Sequence, residues 1–438
     1  MSLPRYPEYR PSGSDWLRTI PTEWLVYRFR YCFTESTEKI EREVIGPMLS
    51  VSGYRGIEVK EYDDENRRRT DEELLGYRVV RPGQLVVNTM WLNYAGLGVS
   101  AHEGHVSPAY RSYNIASRLD HRYAHYLMRS ETYVKGYTKH LTGIRPNSLQ
   151  MSREDLMDFP VVVPPKPEQI AIASFLDRET AKIDALVAEQ EKLIALLKEK
   201  RQAVISHAVT KGLNPDAPTK PSGIEWLGDV PVHWNVTRLK FVATVQTGVA
   251  KGKDYAGIQT AFVPYLRVAN VQDGFLDLED VAQIEVAIGD AARYTLKTGD
   301  VLMNEGGDFD KLGRGAIWNG EIDNCIHQNH VFAVRPHGVG PSWLNTITSS
   351  RYAQFYFMGQ SKQSTNLASI SSSNLMELPV LLPTEAEQED ILQYLSQHCT
   401  QLDALTREAE RAVELLTEHR AALISAAVTG QIDVRNAA

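Results

Sequence analysis

The strongest constraint in this sequence is an internal repeat that spans nearly its whole length. Residues 11–28 return at 221–238 in constant register, and residues 156–210 return at 375–429. Between these matched blocks, residues 30–150 and 243–370 diverge almost completely. A duplication that keeps its frame while its contents drift predicts one scaffold built twice, with each copy holding a module for a different target.

Each copy ends in a long segment without Gly or Pro, Glu168–Ala208 and Glu387–Ala427, rich in Ala, Leu, Glu, Lys and Arg. These segments predict two helices of about 40 residues, or about 60 Å at about 1.5 Å per residue. Apolar residues recur on a seven-residue grid in both, so we expect one apolar seam per helix and an antiparallel coiled coil related by a pseudo-twofold axis. The grid comprises Leu176, Ile183, Leu197 and Val204 with companions Leu186 and Leu193, and Leu395, Leu402, Leu416 and Leu423 with Leu405.

Within that seam, six residues are predicted to be buried core: Ile183, Leu186, Leu197, Leu402, Leu405 and Leu416. The rest of each copy is predicted to be an α+β head, with the heads at opposite ends of the helical rod. Short β-rich runs occur at Gln84–Asn88, Val263–Val268, Asp300–Met303 and His330–Val334. Ser117–Met128 and Trp343–Met358 are the candidate helices inside the heads.

Composition narrows the classes of protein that this chain can represent. No run of eighteen uncharged apolar residues is present and residues 1–10 lack a signal-like apolar stretch, which predicts a cytoplasmic protein. Cys32, Cys325 and Cys399 are too scattered for a disulfide framework and are expected to be reduced thiols. The net charge of −8 argues against a protein that binds DNA mainly by bulk electrostatic attraction.

Catalytic motifs are weak throughout the sequence. Gly96–Ala101 fits a loose dinucleotide-binding pattern, but no βαβ unit surrounds it, and a turn is the preferred interpretation. Glu58–Lys60 resembles part of a nuclease motif but is expected to be a solvated strand edge. The pairs His102/His105 and His327/His330 are expected to be structural or surface histidines, with metal binding as the less favoured alternative. We therefore predict no catalytic residues and no metal site.

The chain resembles the specificity subunits of type I DNA restriction-modification enzymes. The resemblance rests on two junctions of the form Pro-x3-Pro-x3-Glu-Gln before the long helices, and on two Ser-Gly-x2-Trp-Leu-x3-Pro-x2-Trp openings. It implies two target recognition domains that alternate with conserved helices, each reading half of a split DNA sequence in the major groove. The helices would fix the gap and dock two modification subunits. Those partners would supply S-adenosylmethionine and methylate adenine, restriction subunits would join them, and this chain would hold no cofactor.

On this resemblance the chain divides into recognition domains, spacer helices and a short tail. The predicted boundaries are 1–165 for the first target recognition domain, 166–210 for the first spacer helix, 211–222 for a linker, 223–383 for the second target recognition domain, 384–430 for the second spacer helix and 431–438 for the tail.

Candidate DNA-binding residues are the Asn, Lys, Arg and Tyr side chains of the divergent segments, because amide and cationic groups bind base edges and phosphates. They are Asn93, Tyr94, Tyr110, Arg111, Lys139 and Arg145 in the first head and Lys251, Lys253, Tyr255, Lys311, Arg314 and Lys362 in the second. The alternative function is a coiled-coil scaffold with two protein-binding heads and no role on DNA, which the acidic charge favours slightly. An enzyme acting alone ranks third.

Overall fold

The computed structural model describes residues 4–53, 55–62, 69–143, 149–252, 255–307, 312–313, 315–364 and 367–436. It divides into unit 1, Met1–Glu191 with Glu410–Ala438, and unit 2, Lys192–Ala409. Each unit therefore contains one head and part of both long helices. Within the described ranges, no helix combines the length and apolar character needed to cross a membrane.

Unit 1 is a mixed α+β body in which short strands precede the first long helix. Its strands are β1 Tyr9–Pro11, β2 Thr19–Pro21, β3 Leu25–Arg28, β4 Phe33–Glu35, β5 Leu49–Ser52, β6 Gly56–Val59, β7 Arg78–Val80, β8 Leu85–Val87, β9 Leu97–Val99, β10 Gly104–Val106, β11 Arg111–Ile115 and β12 Pro160–Val163. Its helices are α1 His121–Arg129, α2 Glu131–His140, α3 Arg153–Asp158 and the first part of α4, Lys166–Lys211.

Unit 2 repeats this plan with additional strands. They are β13 Thr219–Pro221, β14 Asp229–Pro231, β15 Asn235–Arg238, β16 Ala243–Thr247, β17 Thr260–Leu266, β18 Ala282–Ala287, β19 Val301–Asn304, β20 Gly306–Gly307, β21 Gly315–Ile317, β22 Ile326–His327, β23 Val331–Pro336, β24 Lys362–Ser364, β25 Leu367–Ser369 and β26 Pro379–Leu382. Its helices are α5 Ile288–Tyr294, α6 Pro341–Thr348, α7 Arg351–Gln360, α8 Ser372–Met376 and the first part of α9, Glu385–Val428.

The two heads are built on the same antiparallel sheet. Its strand order is β4-β11-β8-β9 in unit 1 and β16-β23-β19-β21 in unit 2. The register also corresponds, because Tyr113 lies opposite Leu85 in one sheet and Val334 lies opposite Val301 in the other. The prediction of one α+β scaffold built twice is confirmed, although the contents of the two heads have diverged.

The predicted strands of the heads are confirmed, but the helices differ from the prediction. Helix α1 begins at His121 rather than Ser117, because the Asp120 side chain caps it by accepting the backbone N–H groups of Arg122 and Tyr123. Helix α2 was not predicted. The single helix expected over 343–358 is two helices, and the Ser350 side chain caps the second by accepting the N–H of Ala353.

A carboxylate, buried in unit 1 and half-buried in unit 2, ties each opening segment to the start of a long helix. In unit 1, Trp24 donates its indole N–H to Glu168 over 3.0 Å. In unit 2, Trp234 donates to Glu387 over 3.1 Å. The neighbouring Gln169 amide donates to the Pro164 carbonyl over 2.8 Å. The repeated Trp and Glu-Gln motifs therefore have a structural role, because they hold the head against the helix.

The long helices pack antiparallel within each unit. In unit 1, Ile172 and Leu176 near the start of α4 share a core with residues 424–428 at the end of α9, and Arg420 pairs with Asp184 over 2.8 Å. In unit 2, residues 205–209 of α4 share a core with residues 391–395 of α9, and Arg201 pairs with Asp403 over 2.8 Å. The two ion pairs are equivalent in the repeat, because Asp184 corresponds to Asp403 and Arg201 corresponds to Arg420. The predicted antiparallel pairing is confirmed in both units.

The predicted seam is only half right. Ile183, Leu197 and Leu402 are buried, and Leu416 is half-buried. Leu186 and Leu405, predicted as core, are 51% and 49% exposed. Leu186 and Leu405 are exposed because they belong to the companion row of the grid, which is not continuously apolar. That row contains Glu179, Lys200, His398 and His419 and also exposes Leu193. Turning it toward the partner helix would bury those charges.

Candidate nucleic-acid interface

The divergent residues of unit 1 converge where several strands of its central sheet begin or end, and this end of the sheet is here called the first edge. At this edge β4 ends at Glu35, β8 ends at Val87 and β11 begins at Arg111, which lies opposite Val87. The loop 88–96 then leaves the sheet and returns as β9. Because antiparallel strands alternate in direction, residues distant in sequence meet at this edge.

The loop 88–96 presents aromatic and amide groups. A short turn, Leu92–Tyr94, buries Leu92 and leaves Tyr94 57% exposed. Trp91 is 55% exposed and contacts Tyr94 edge to face, with ring centroids 5.9 Å apart. The side-chain carbonyl oxygen of Asn93 is buried and finds no hydrogen-bond donor among the described residues. The predicted residue Tyr94 is therefore exposed in this turn, whereas the predicted residue Asn93 has a buried oxygen with unused hydrogen-bonding capacity.

Two residues of α1 hold this loop in place, and the sequence analysis missed both. Arg129 donates to the carbonyl oxygens of Gly53 over 2.8 Å and Ala95 over 3.2 Å, and burial lowers its pKa to about 10. His125 accepts the backbone N–H of Val99 over 3.2 Å, and burial lowers its pKa to about 4. Neither side chain forms an ion pair among the described contacts. Both act on backbone groups, which fixes the loop without depending on its side chains.

An arginine cluster centres on Glu35 at the same edge. Its carboxylate lies 3.0 Å from Arg111, 3.2 Å from Arg153 and 3.5 Å from Arg78. Burial alone would raise the pKa of Glu35, but the Arg153 hydrogen bond and the charge of Arg111 lower it on balance. The structure thus places the predicted Arg111 beside Arg153, which sequence analysis missed because it lies just outside the divergent segment.

The other predicted residues of unit 1 have different surroundings. Tyr110 packs against a small apolar cluster that includes Leu49 and Val106. Lys139 is exposed in the last turn of α2, and α2 packs against the Leu92–Tyr94 turn. Arg145 lies outside the described residues. Tyr110 is thus part of a hydrophobic core, while Lys139 is a charged group on an element that supports the loop.

Two predicted lysines of unit 2, Lys251 and Lys362, lie at the corresponding edge, here called the second edge. There β16 ends at Thr247, which lies opposite Phe332 near the start of β23. Lys251 follows β16, with its ammonium group 5.7 Å from the centroid of the Tyr265 ring. Gly248, directly after β16, allows the backbone to pass close to His327, because a Cβ there would stand 2.0 Å from the carbonyl oxygen of His327.

Lys362 reaches the second edge through a different sheet. It is exposed on β24 and lies opposite Ser369 in β25, and Ser369 also lies opposite Gly306. Gly306 follows directly after β19, which ends at Asn304. Tyr255 is half-buried, and its hydroxyl has no hydrogen-bond partner in the described part of the chain. Three further candidates fall outside the described residues: Lys253, Lys311 and Arg314.

The histidine pairs lack the geometry of a metal site. His105 donates its Nδ1–H to the Ile45 carbonyl over 3.1 Å, and His327 donates its Nδ1–H to the Val331 carbonyl over 2.8 Å. Both rings are buried, whereas His330 is exposed and contacts Glu305 over 2.8 Å. No cluster of three metal-ligating side chains occurs within the described ranges.

The fold shows which elements contain the two weaker sequence motifs, Glu58–Lys60 and Gly96–Ala101. Glu58 lies in β6, which among the described strands pairs with β5 alone, as expected for a strand edge. The turn predicted for residues 96–101 is wrong for Leu97–Val99, which form β9 because they pair with β8 in the central sheet.

Cys32 and Cys325 are buried free thiols, and burial raises the pKa of Cys32 to about 11.

Comparison with known proteins gives a consistent family. Residues 231–415 match the type I restriction modification DNA specificity domain. The type I restriction enzyme EcoKI specificity subunit of Escherichia coli (strain K12) is 24% identical over 310 residues, which cover 69% of this chain and 64% of that protein. The StySPI specificity subunit of Salmonella potsdam is 23% identical over 314 residues, or 71% and 65% of the two chains. The chain thus spans slightly less than two thirds of these relatives.

A solved structure supports the fold independently. It is described as "Structural basis underlying complex assembly and conformational transition of the type I R-M system". Its chain aligns with a TM-score of 0.64 at 17% identity and covers 94% of this chain and 99% of that one. The duplicated frame, the matched domain and the related sequences agree, and the chain is similar to the type I restriction-modification specificity subunits.

Proposed function

We propose that this chain is the non-catalytic, DNA-binding specificity subunit of a type I restriction-modification enzyme that recognises a split sequence. The observation that carries the proposal is the position of the divergent residues. Asn93, Tyr94 and Arg111 gather at the first edge, and Lys251 and Lys362 gather at the second. The two edges correspond in sheet topology but differ in content, as two readers of different half-sites require.

The chemistry of these edges suits duplex DNA. Asn and Arg side chains can form paired hydrogen bonds with base edges in the major groove, while Lys and Arg neutralise phosphates. Two heads in one chain would select targets whose halves have a constant gap. Because the net charge of the chain is −8, much of the phosphate contact must come from partner subunits or from local basic clusters.

Exposed leucines on the long helices support a docking site for modification subunits. Leu186 and Leu405 occupy corresponding positions of the repeat and are 51% and 49% exposed. Leu196 and Leu415 also correspond and are 53% and 56% exposed. Exposed apolar side chains that recur at the same places in both copies are typical of a protein interface.

The exposed leucines form one pair in each unit. In unit 1, Leu186 follows Asp184 on α4, and Leu415 precedes Arg420 on α9. Because the helices are antiparallel, both lie on the same side of the Asp184–Arg420 ion pair, about 3 Å and about 7.5 Å along the axis. The pair is therefore separated axially by less than one helical turn. Leu196 and Leu405 have the same relation to Arg201 and Asp403 in unit 2.

We propose that each leucine pair docks one modification subunit. The modification subunits would carry S-adenosylmethionine and methylate adenine, and restriction subunits would join the complex through them. The assembly would act in the cytoplasm, on chromosomal and incoming DNA.

The test is a single-molecule map of N6-methyladenine in the host genome with and without this gene. Loss of methylation at one split motif with a constant gap would establish the function and identify both half-sites. An unchanged map, in a strain that expresses the gene and its modification partner, would contradict the proposal. It would favour the scaffold with protein-binding heads.

A further inference from the structure

We infer that Arg111 and Arg153, held together by Glu35, form a clamp for one backbone phosphate beside the first half-site. This inference rests on the proposed function and assigns a particular part of the DNA to the cluster at the first edge. The clamp would position the duplex on unit 1, while the loop 88–96 would contact the bases.

The solvent exposure of the side chains increases from the base of the cluster to its surface. The Arg78 side chain is 10% exposed and that of Glu35 is 19% exposed, so these two groups form the base of the cluster. The Arg111 side chain is 42% exposed and that of Arg153 is 70% exposed. The cluster is thus anchored by a buried pair and presents two guanidinium groups to solvent.

The charges in the cluster are not balanced. One carboxylate faces three guanidinium groups, which leaves an excess of two positive charges. The Nε atom of Arg78 is buried and has no hydrogen-bond partner among the described residues, and burial together with the charge of Arg111 lowers the Arg78 pKa. The nearby carboxylate of Asp155 accepts from Ser152 over 2.6 Å. An added anion would therefore be stabilised here.

The arrangement fits a phosphate better than a base edge. Arg111 and Arg153 each use one guanidinium nitrogen on Glu35 in the described contacts, Nη1 and Nη2 respectively. Their remaining N–H groups are available for charge-assisted hydrogen bonds, which arginine forms readily with phosphate oxygens. Two guanidinium groups that converge on one point suit a small anion with several oxygens. Reading a guanine, by contrast, uses the edge of a single guanidinium.

The test measures binding of the assembled complex, with its modification subunits, to two duplexes by fluorescence anisotropy between about 50 and 200 mM salt. One duplex carries the split target from the methylation map and the other has random sequence. The variants are Arg153→Ala, the charge-conserving Arg153→Lys, and the control Arg122→Ala. Arg122 is a suitable control because its side chain is 49% exposed and pairs with Asp177 over 2.7 Å rather than with Glu35.

We expect Arg153→Ala to reduce the slope of log K against log salt by about one, because one phosphate contact is lost. Affinity should fall by the same factor on both duplexes, Arg153→Lys should restore the slope, and Arg122→Ala should leave it unchanged. An unchanged slope for Arg153→Ala overturns the clamp, and so does a loss confined to the target duplex. If the wild-type complex shows no sequence preference, the proposed function fails while the slope still decides the clamp. A complex that binds neither duplex overturns both.

Discussion

The exposed leucine pairs give a quantitative prediction about docking of the modification subunits. Full burial of a leucine side chain contributes about 1.5–3 kcal/mol. Leu186 and Leu415 are already 51% and 56% exposed, so each retains about half of its apolar surface for a partner. Truncation of either to alanine should cost about 1 kcal/mol of binding free energy. The double variant should therefore lose about 2 kcal/mol, or about 30-fold in affinity.

The assay is a calorimetric titration of purified modification subunit into this chain. In the wild type we expect two binding events of similar affinity, one for each unit. L186A/L415A should weaken one event about 30-fold and spare the other, and L196A/L405A should do the reverse. All four leucines are half exposed, so these variants should change the thermal midpoint little.

The matched control is Leu25→Ala. Leu25 is 52% exposed, as the helix leucines are, but it lies on β3 in the head. The Leu25→Ala variant should bind modification subunits with the affinity of the wild type. If both double variants keep the wild-type affinity within about twofold, or if Leu25→Ala loses as much as they do, the helix flanks are not the docking surface.

Three further predictions concern stability and half-site binding. His125 has a pKa of about 4 in the folded chain against its ordinary 6.5, so only the unfolded chain takes up a proton as the pH falls between these values. At pH 5 the free energy of unfolding, measured in urea, should therefore be lower by about 2 kcal/mol, and His125→Gln should abolish that loss. Glu168→Ala should destabilise the chain by about 3 kcal/mol in the same assay, because it leaves the Trp24 indole N–H and the Tyr6 hydroxyl buried without their acceptor, whereas Glu168→Gln should cost less. Lys362→Ala should weaken binding when only the second half-site is intact and leave the first unaffected, as competition with half-site duplexes would show.

The frame of the fold could be predicted because its signals are local and occur twice. Neither long helix contains Gly or Pro after its opening turn, and each therefore continues for more than forty residues, Lys166–Lys211 and Glu385–Val428. The exposure of Leu186 could not be predicted as easily, since a leucine on a seven-residue grid is consistent with either row of the helix. The polar residues that share its row, Glu179 and Lys200, were the signal against burial.

The site was harder to predict, because its supporting residues act through backbone groups. Asn93 and Arg111 were predicted by residue type within a divergent segment. Arg129 was missed because its partners are carbonyl oxygens of Gly53 and Ala95, and these leave no pattern in the sequence. Arg153 was missed because it lies just outside the divergent segment, and its partner Glu35 is more than a hundred residues away and meets it only when α3 packs against residues 29–31, directly before β4.

The division between frame and contents has a consequence for how such a chain can change its target. Loop 88–96 is held by Arg129 through carbonyl oxygens, and the start of α4 is held by Trp24 through Glu168. Neither attachment depends on the side chains that face the edge. New sequence in the loop can therefore alter base contacts while the sheet, the junction and the helix pair keep their geometry. Because each unit has its own edge, we expect such a change to alter one half-site and to preserve both the other half-site and the gap.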